Sequence, residues 1–246
     1  MKVNFWDNPA KAVRSQSFIK IFHHYIAEEL RTRLTAKAKR SGIQIIEEAK
    51  VFGSFKSKDV DVAVIHPTNG PLILVGVRSQ MSSVGKNVLT YYQDIVGECI
   101  SLQERFPMTT MGYAYIHPLH VTPWQKEDGK WVKEESPNHT RFARMYASIG
   151  ERDDRLYKHL HGSYDQFAYA VVDFDSDPIG VRDDIVERAV PDLDMSITTF
   201  VDRLIATFLR RNVWMDDVFT EPVSLAVPDD DEADEPQLDE TLVGSP

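Results

Sequence analysis

Apolar positions repeat with two different periods along the chain, and the order of those periods predicts a mixed α/β fold. Ile19, Phe22, Ile26, Leu30 and Leu34 recur at spacings of three and four, which predicts a long helix opening at Ser15 or Ser17 and stopping near Gly42. The run from Ile43 to Phe55 then predicts a first strand carrying Glu47 and Glu48. Lys58 to Gln80 predicts a hairpin. Val60, Val62 and Val64 alternate with Asp59, Asp61 and Ala63, Pro67, Asn69, Gly70 and Pro71 supply a turn, and Leu72 to Val77 resume the apolar pattern. Val88, Tyr92, Ile95, Val96 and Cys99 trace one face of a following helix as far as Arg105, and Met108 to Leu119 predicts another strand. A helix between two strands implies a parallel crossover, so the expected architecture is a central mixed sheet flanked by helices. Beyond it, His120 to Asn138 lacks a period and reads as a loop. A helix is expected from Thr140 to about His159, a buried strand from Gln166 to Phe174, and a covering helix from Pro191 to Arg211.

Strand side chains alternate, so Asp59 and Asp61 share one face of the first hairpin strand, and Gly76, Arg78 and Gln80 share one face of the second. If those faces coincide, acids and a cation converge beside a buried sheet, an arrangement that a metal ion or a substrate compensates. The polar run Gln80, Ser82, Ser83, Lys86 and Asn87 leads into the next helix. Either serine can cap that helix, and a capped helix start accepts an anion, so Ser82, Ser83, Lys86 and Asn87 are the candidate substrate-binding residues. Histidine points elsewhere: His23 and His24 are adjacent, hence on different helix faces, and are not expected to ligate together. His117 with His120, and His159 with His161, lack a carboxylate at a recognised spacing.

Composition narrows the setting. With 246 residues the chain can build one sizeable core, expected over residues 1–222, and the run from Asp229 to Glu240 predicts a disordered acidic tail over 223–246. The formal net charge of −10 falls to −2 when the eight tail acids are set aside, while residues 1–58 carry 12 Lys or Arg against 5 Asp or Glu. A basic amino-terminal third is compatible with phosphate contacts. One cysteine, Cys99, excludes an internal disulfide and a cysteine-based zinc site; its helical apolar context predicts burial. No apolar run spans a bilayer and the first residues lack a secretory pattern, so a cytoplasmic protein without a membrane partner is expected.

From Ser15 to Leu119 this succession of helix, strand, acid-bearing hairpin, helix and strand resembles the PD-(D/E)xK nuclease superfamily, restriction-endonuclease-like in detail. The resemblance implies a restriction-endonuclease-like core and a Mg²⁺-dependent (or Mn²⁺-dependent) endonuclease cleaving DNA, in restriction or defence, with DNA as partner and a homodimer left open. Asp61 matches the family's first acid and Asp59 is the alternative register, which makes these two the implied metal ligands. The family's second acid and lysine would fall at Gly76 and Arg78 in LVGVRSQ, so the motif is variant or degenerate. Glu48, Asp59 or Glu98 could supply the lost carboxylate, and Lys86 or Gln80 could stand near the lysine. Arg78 would then act on phosphate charge without giving up a proton. Asp61, Arg78, Gln80 and Glu48 are accordingly the candidate catalytic residues. Two alternatives stand beside this one. Gly53 and Ser54 followed by Asp59 and Asp61 approximate a nucleotidyltransferase pattern, and the missing second acid fits a catalytically inactive nuclease fold serving as a DNA-binding or assembly module.

Overall fold

The computed structural model describes residues 17–81, 84–121, 137–150, 163–220 and 222. The expected tail, most of the 120–138 loop, Ser82, Ser83, the Lys86 side chain and the end of the helix expected to reach His159 lie outside the described residues. The chain runs α1 (Ser17–Arg33), α2 (Ala36–Arg40), β1 (Gln44–Phe52), β2 (Ser57–His66), β3 (Gly70–Ser79), α3 (Val84–Arg105) and β4 (Thr110–Pro118). It continues through α4 (His139–Ala147), β5 (Gln166–Asp173), β6 (Gly180–Val181), α5 (Asp183–Ala189) and α6 (Phe200–Arg211). The six strands form one sheet in sequence order. β1, β2 and β3 are an antiparallel meander, β3, β4 and β5 are parallel, and β6 closes the edge antiparallel. The fold is therefore mixed α/β, with α3 as the crossover that a parallel β3–β4 pair requires.

Both faces of the sheet are covered, which is why β4 and β5 are buried nearly throughout. On one face Ile26 and Leu30 of α1 and Phe200, Leu204 and Phe208 of α6 pack against Val62, Val64, Val75 and Val77. On the other, Ile95 and Cys99 of α3 and Phe142 and Tyr146 of α4 pack against Ala63, Leu74, Tyr113 and Tyr169. Cys99 is fully buried, as its helical context predicts. No helix among the described residues is long and apolar enough to cross a membrane.

Three elements depart from the pattern read in the sequence, each through side-chain or tertiary hydrogen bonds. The amino-terminal helix breaks at Leu34, which bridges Phe219, and Thr35 restarts it by accepting the Ala38 N–H at 3.0 Å. The helix expected from Pro191 begins only at Phe200. Asp194 takes the Ser196 N–H at 2.8 Å and the Thr199 hydroxyl at 2.6 Å, which holds the intervening residues in turns. The helix expected from Thr140 ends at Ala147, where Ser148 caps it.

Candidate functional site

The register of β1 on β2 pairs Glu47 with Val62 and Ala49 with Val60, leaving Glu48 opposite Asp61 in an interruption of the ladder. Glu48 has φ 56°, a left-handed conformation that a residue with a Cβ rarely adopts. The interruption reverses the alternation of side chains. Glu47 meets His24 and Arg31 of α1 while Ala49 packs in the α3 core, and Val62 packs on the α1 side while Val60 packs on the other. Asp61 consequently turns toward α1 and not toward the face that strict alternation assigns to it.

Two contacts fix its carboxylate. Val77 donates its backbone N–H to Asp61 Oδ2 at 2.6 Å, just past the last β2–β3 pair, Val62 with Val75. The other oxygen, Oδ1, stands 3.3 Å from Nε2 of His23. That approach has the distance of an ion pair but not the angle of a hydrogen bond, for neither ring nitrogen of the buried His23 has a hydrogen-bond partner among the described residues. Burial pushes the Asp61 carboxyl above the usual range, against the opposing pull of the Val77 N–H and of His23 and Lys58. Asp61, Asp59, Glu48, His23 and Ile19 line a cleft of about 490 Å³. Lys20 reaches Glu48 at 3.0 Å from its rim.

The expected convergence of acids and a cation across the hairpin is not what the structure shows. Val75 and Val77 face α1, so Gly76 and Arg78 face α3. Arg78 lies over the Tyr91 ring at 4.8 Å and stands 3.8 Å from Asp94, on the opposite side of the sheet from the Asp61–His23 contact. The site expected at Gly76 is filled by an aromatic ring, since a Cβ there would come within 2.5 Å of Tyr113 Cε2. Gln80 is buried and accepts the Tyr115 hydroxyl at 3.2 Å. Asn87 sits half-buried in the first turn of α3. Glu98 is engaged by Lys58 on the α3 side. His117 is buried: the Tyr169 hydroxyl lies 2.9 Å from its Nδ1 and 2.7 Å from that of His139. Burial holds both imidazoles below the ordinary histidine range.

The sequence pattern presented His23 only beside His24, as a pair not expected to ligate together, and gave no sign of Lys20 at the rim. His23 sits four residues after Ile19 on the buried side of α1, and a histidine interrupting an apolar helix face was the available signal.

Could a divalent cation fit here? Among the described residues no three His, Cys, Asp or Glu side chains are assembled as a cage. Three carboxylates nevertheless border one cleft, and Mg²⁺ is commonly bound through one or two carboxylates with water completing its shell. Asp61 and Glu48, with Asp59 at the margin, are the residues that would hold it. Neither a family model, a curated protein nor a solved structure gives a significant match to this chain.

Proposed function

We propose that the chain is a metal-dependent nuclease acting on DNA phosphodiester bonds, with its reactive centre in the Asp61 cleft. The observation that carries this reading is the interruption at Glu48 and Asp61, which turns carboxylates from two neighbouring strands toward one cleft large enough for a phosphate and its solvent. Burying an acid at a break in a sheet is unfavourable unless a cation or a proton compensates. A divalent ion bound there would supply charge neutralisation for the phosphate and an activated water. The protein's own part is to orient Asp61 through the Val77 N–H and to line the rim with Lys20, a cation able to meet a phosphate oxygen. In this reading Arg78 is a structural residue of the α3 side. DNA is the proposed partner, and a homodimer and a cytoplasmic setting belong to the same proposal.

One observation favours a second reading. Tyr113 occupies the space of the motif's second acid, and Arg78 is held by Tyr91 and Asp94, which fits a nuclease fold that binds DNA without cutting it. The nucleotidyltransferase alternative has less support. Ser54 and Phe55 donate their backbone N–H groups to Ser101 at 2.9 and 3.2 Å, and Gly53 donates to Lys56 at 3.0 Å, so these three amides are already engaged and do not face a triphosphate. Incubation of plasmid DNA with the full chain and Mg²⁺ or Mn²⁺ tests the proposal. Metal-dependent nicking supports the nuclease, and DNA binding without nicking supports the second reading.

A further inference from the structure

The environment of His23 carries the Asp61 cleft beyond a general cation site. The residue is buried, with relative exposure of only 4 %, in the wall of a cleft that Ile19 and the three carboxylates of Glu48, Asp59 and Asp61 also line. Among the described residues both nitrogens lack hydrogen-bond partners, although an unmade hydrogen bond in a buried site is unfavourable. Nε2 and Asp61 Oδ1 are 3.3 Å apart without hydrogen-bond geometry. Two donors each bound at about 2.1 Å to one ion, and subtending an angle between octahedral and tetrahedral, lie about 3.0–3.4 Å apart. The spacing is that of two ligands of a shared ion.

We infer that His23 Nε2 and Asp61 Oδ1 form a two-residue ligand pair for a first-row transition ion such as Mn²⁺ or Co²⁺, selected over Mg²⁺. This deepens the nuclease reading and rests on it for the cleft's role as a cation site. The selectivity follows from ligand chemistry. Mg²⁺ favours oxygen and gives up water reluctantly, whereas imidazole suits the later ions of the series. Glu48 completes the set. Its partner Lys20 is half-exposed, and an exposed pair of that kind holds a carboxylate weakly, so Glu48 can swing toward the ion. The remaining positions take water.

Titration of the full chain with CoCl₂ and separately with MgCl₂, followed by calorimetry, tests this. Co²⁺ is expected to bind at least tenfold more tightly than Mg²⁺. The His23→Gln variant is expected to lose at least tenfold in Co²⁺ affinity while its Mg²⁺ affinity stays within about twofold. Equal affinities for the two ions, or His23→Gln binding Co²⁺ like the wild type, overturns the inference. Should His23→Gln not fold, histidine-selective NMR of the wild type decides. Co²⁺ must perturb one buried imidazole, and Asp61→Asn must abolish that perturbation; its absence, or its survival in Asp61→Asn, overturns the inference. The two proposals fail separately. His23-dependent Co²⁺ binding without DNA cleavage under any metal removes the nuclease reading alone, and metal-dependent DNA cleavage by a wild type whose Co²⁺ affinity is unchanged by His23→Gln removes this inference alone.

Discussion

Asp61 takes over a backbone partner that its own strand has left: its carboxylate accepts the Val77 N–H at 2.6 Å at the point where β2 and β3 stop pairing. A side chain thereby closes the end of a ladder and faces a cleft at the same time. Asp61→Asn keeps an oxygen for the Val77 N–H, whereas Asp61→Ala leaves that donor without a partner. The alanine variant should be less stable than the asparagine variant by about 1–3 kcal/mol. Chemical denaturation of both checks it, and equal losses would show that the bond to Val77 contributes nothing.

The raised carboxyl of Asp61 sets a pH dependence of definite sign. Because its folded-state pKa lies above the unfolded value of about 3.9, its contribution is fully present below that value and is lost as pH rises through the folded value. Once ionised, the wild type carries a buried charge that Asp61→Asn does not. The variant should therefore melt above the wild type at neutral pH without added metal, with the gap closing toward pH 4. A gap that widens on acidification would give the carboxylate the opposite role.

His117 and His139 predict an acid limb. Their folded-state values are depressed by burial, so the stability they confer is present above the unfolded pKa of about 6.5 and is lost as pH falls toward the folded values. Thermal melting should decline below about pH 6.5. The His117→Asn variant keeps a polar atom near the Tyr169 hydroxyl but cannot titrate, and its curve should be flatter across that window.

Gly76 is held by contact, not by conformation. Tyr113 is buried between Phe167, at 5.6 Å ring to ring, and Tyr164, at 5.1 Å, so it has no room to retreat from a new Cβ. Gly76→Ala should cost about 1–3 kcal/mol through overpacking, and the combined Gly76→Glu and Arg78→Lys change should destabilise the fold without creating activity. Replacing Tyr113 by Leu should recover part of the Gly76→Ala loss. A neutral Gly76→Ala would mean that the ring moves freely.

The parts of the fold that were legible in the sequence are those set by local periodicity. The β2–β3 hairpin, with Pro67, Asn69 and Gly70 at its turn, and the α3 crossover both sit where alternation and helical spacing placed them. What escaped depended on partners distant in sequence. The break at Leu34 requires Phe219, and the late start of α6 requires the Asp194 side chain. At the candidate site, Asp61, Asp59 and Glu48 were visible as acids, but their placement was not. Strict alternation sends Asp61 to the face of Gly76 and Arg78, and the reversal at Glu48 sends it to α1. A single left-handed residue leaves no periodic trace, so neither the separation of Arg78 from Asp61 nor the partnership with His23 could be read from spacing.

The proposed role of the Asp61 cleft is metal-dependent cleavage of DNA. Its most direct test is conversion of supercoiled plasmid to open-circular or linear form, measured for wild type and Asp61→Asn in parallel with Mg²⁺, Mn²⁺ and chelator. The wild type is expected to cleave with metal and not with chelator, and Asp61→Asn to lose at least about a hundredfold in rate despite an intact fold. Cleavage by Asp61→Asn at the wild-type rate, or a folded wild type that cuts under no metal, would contradict that role.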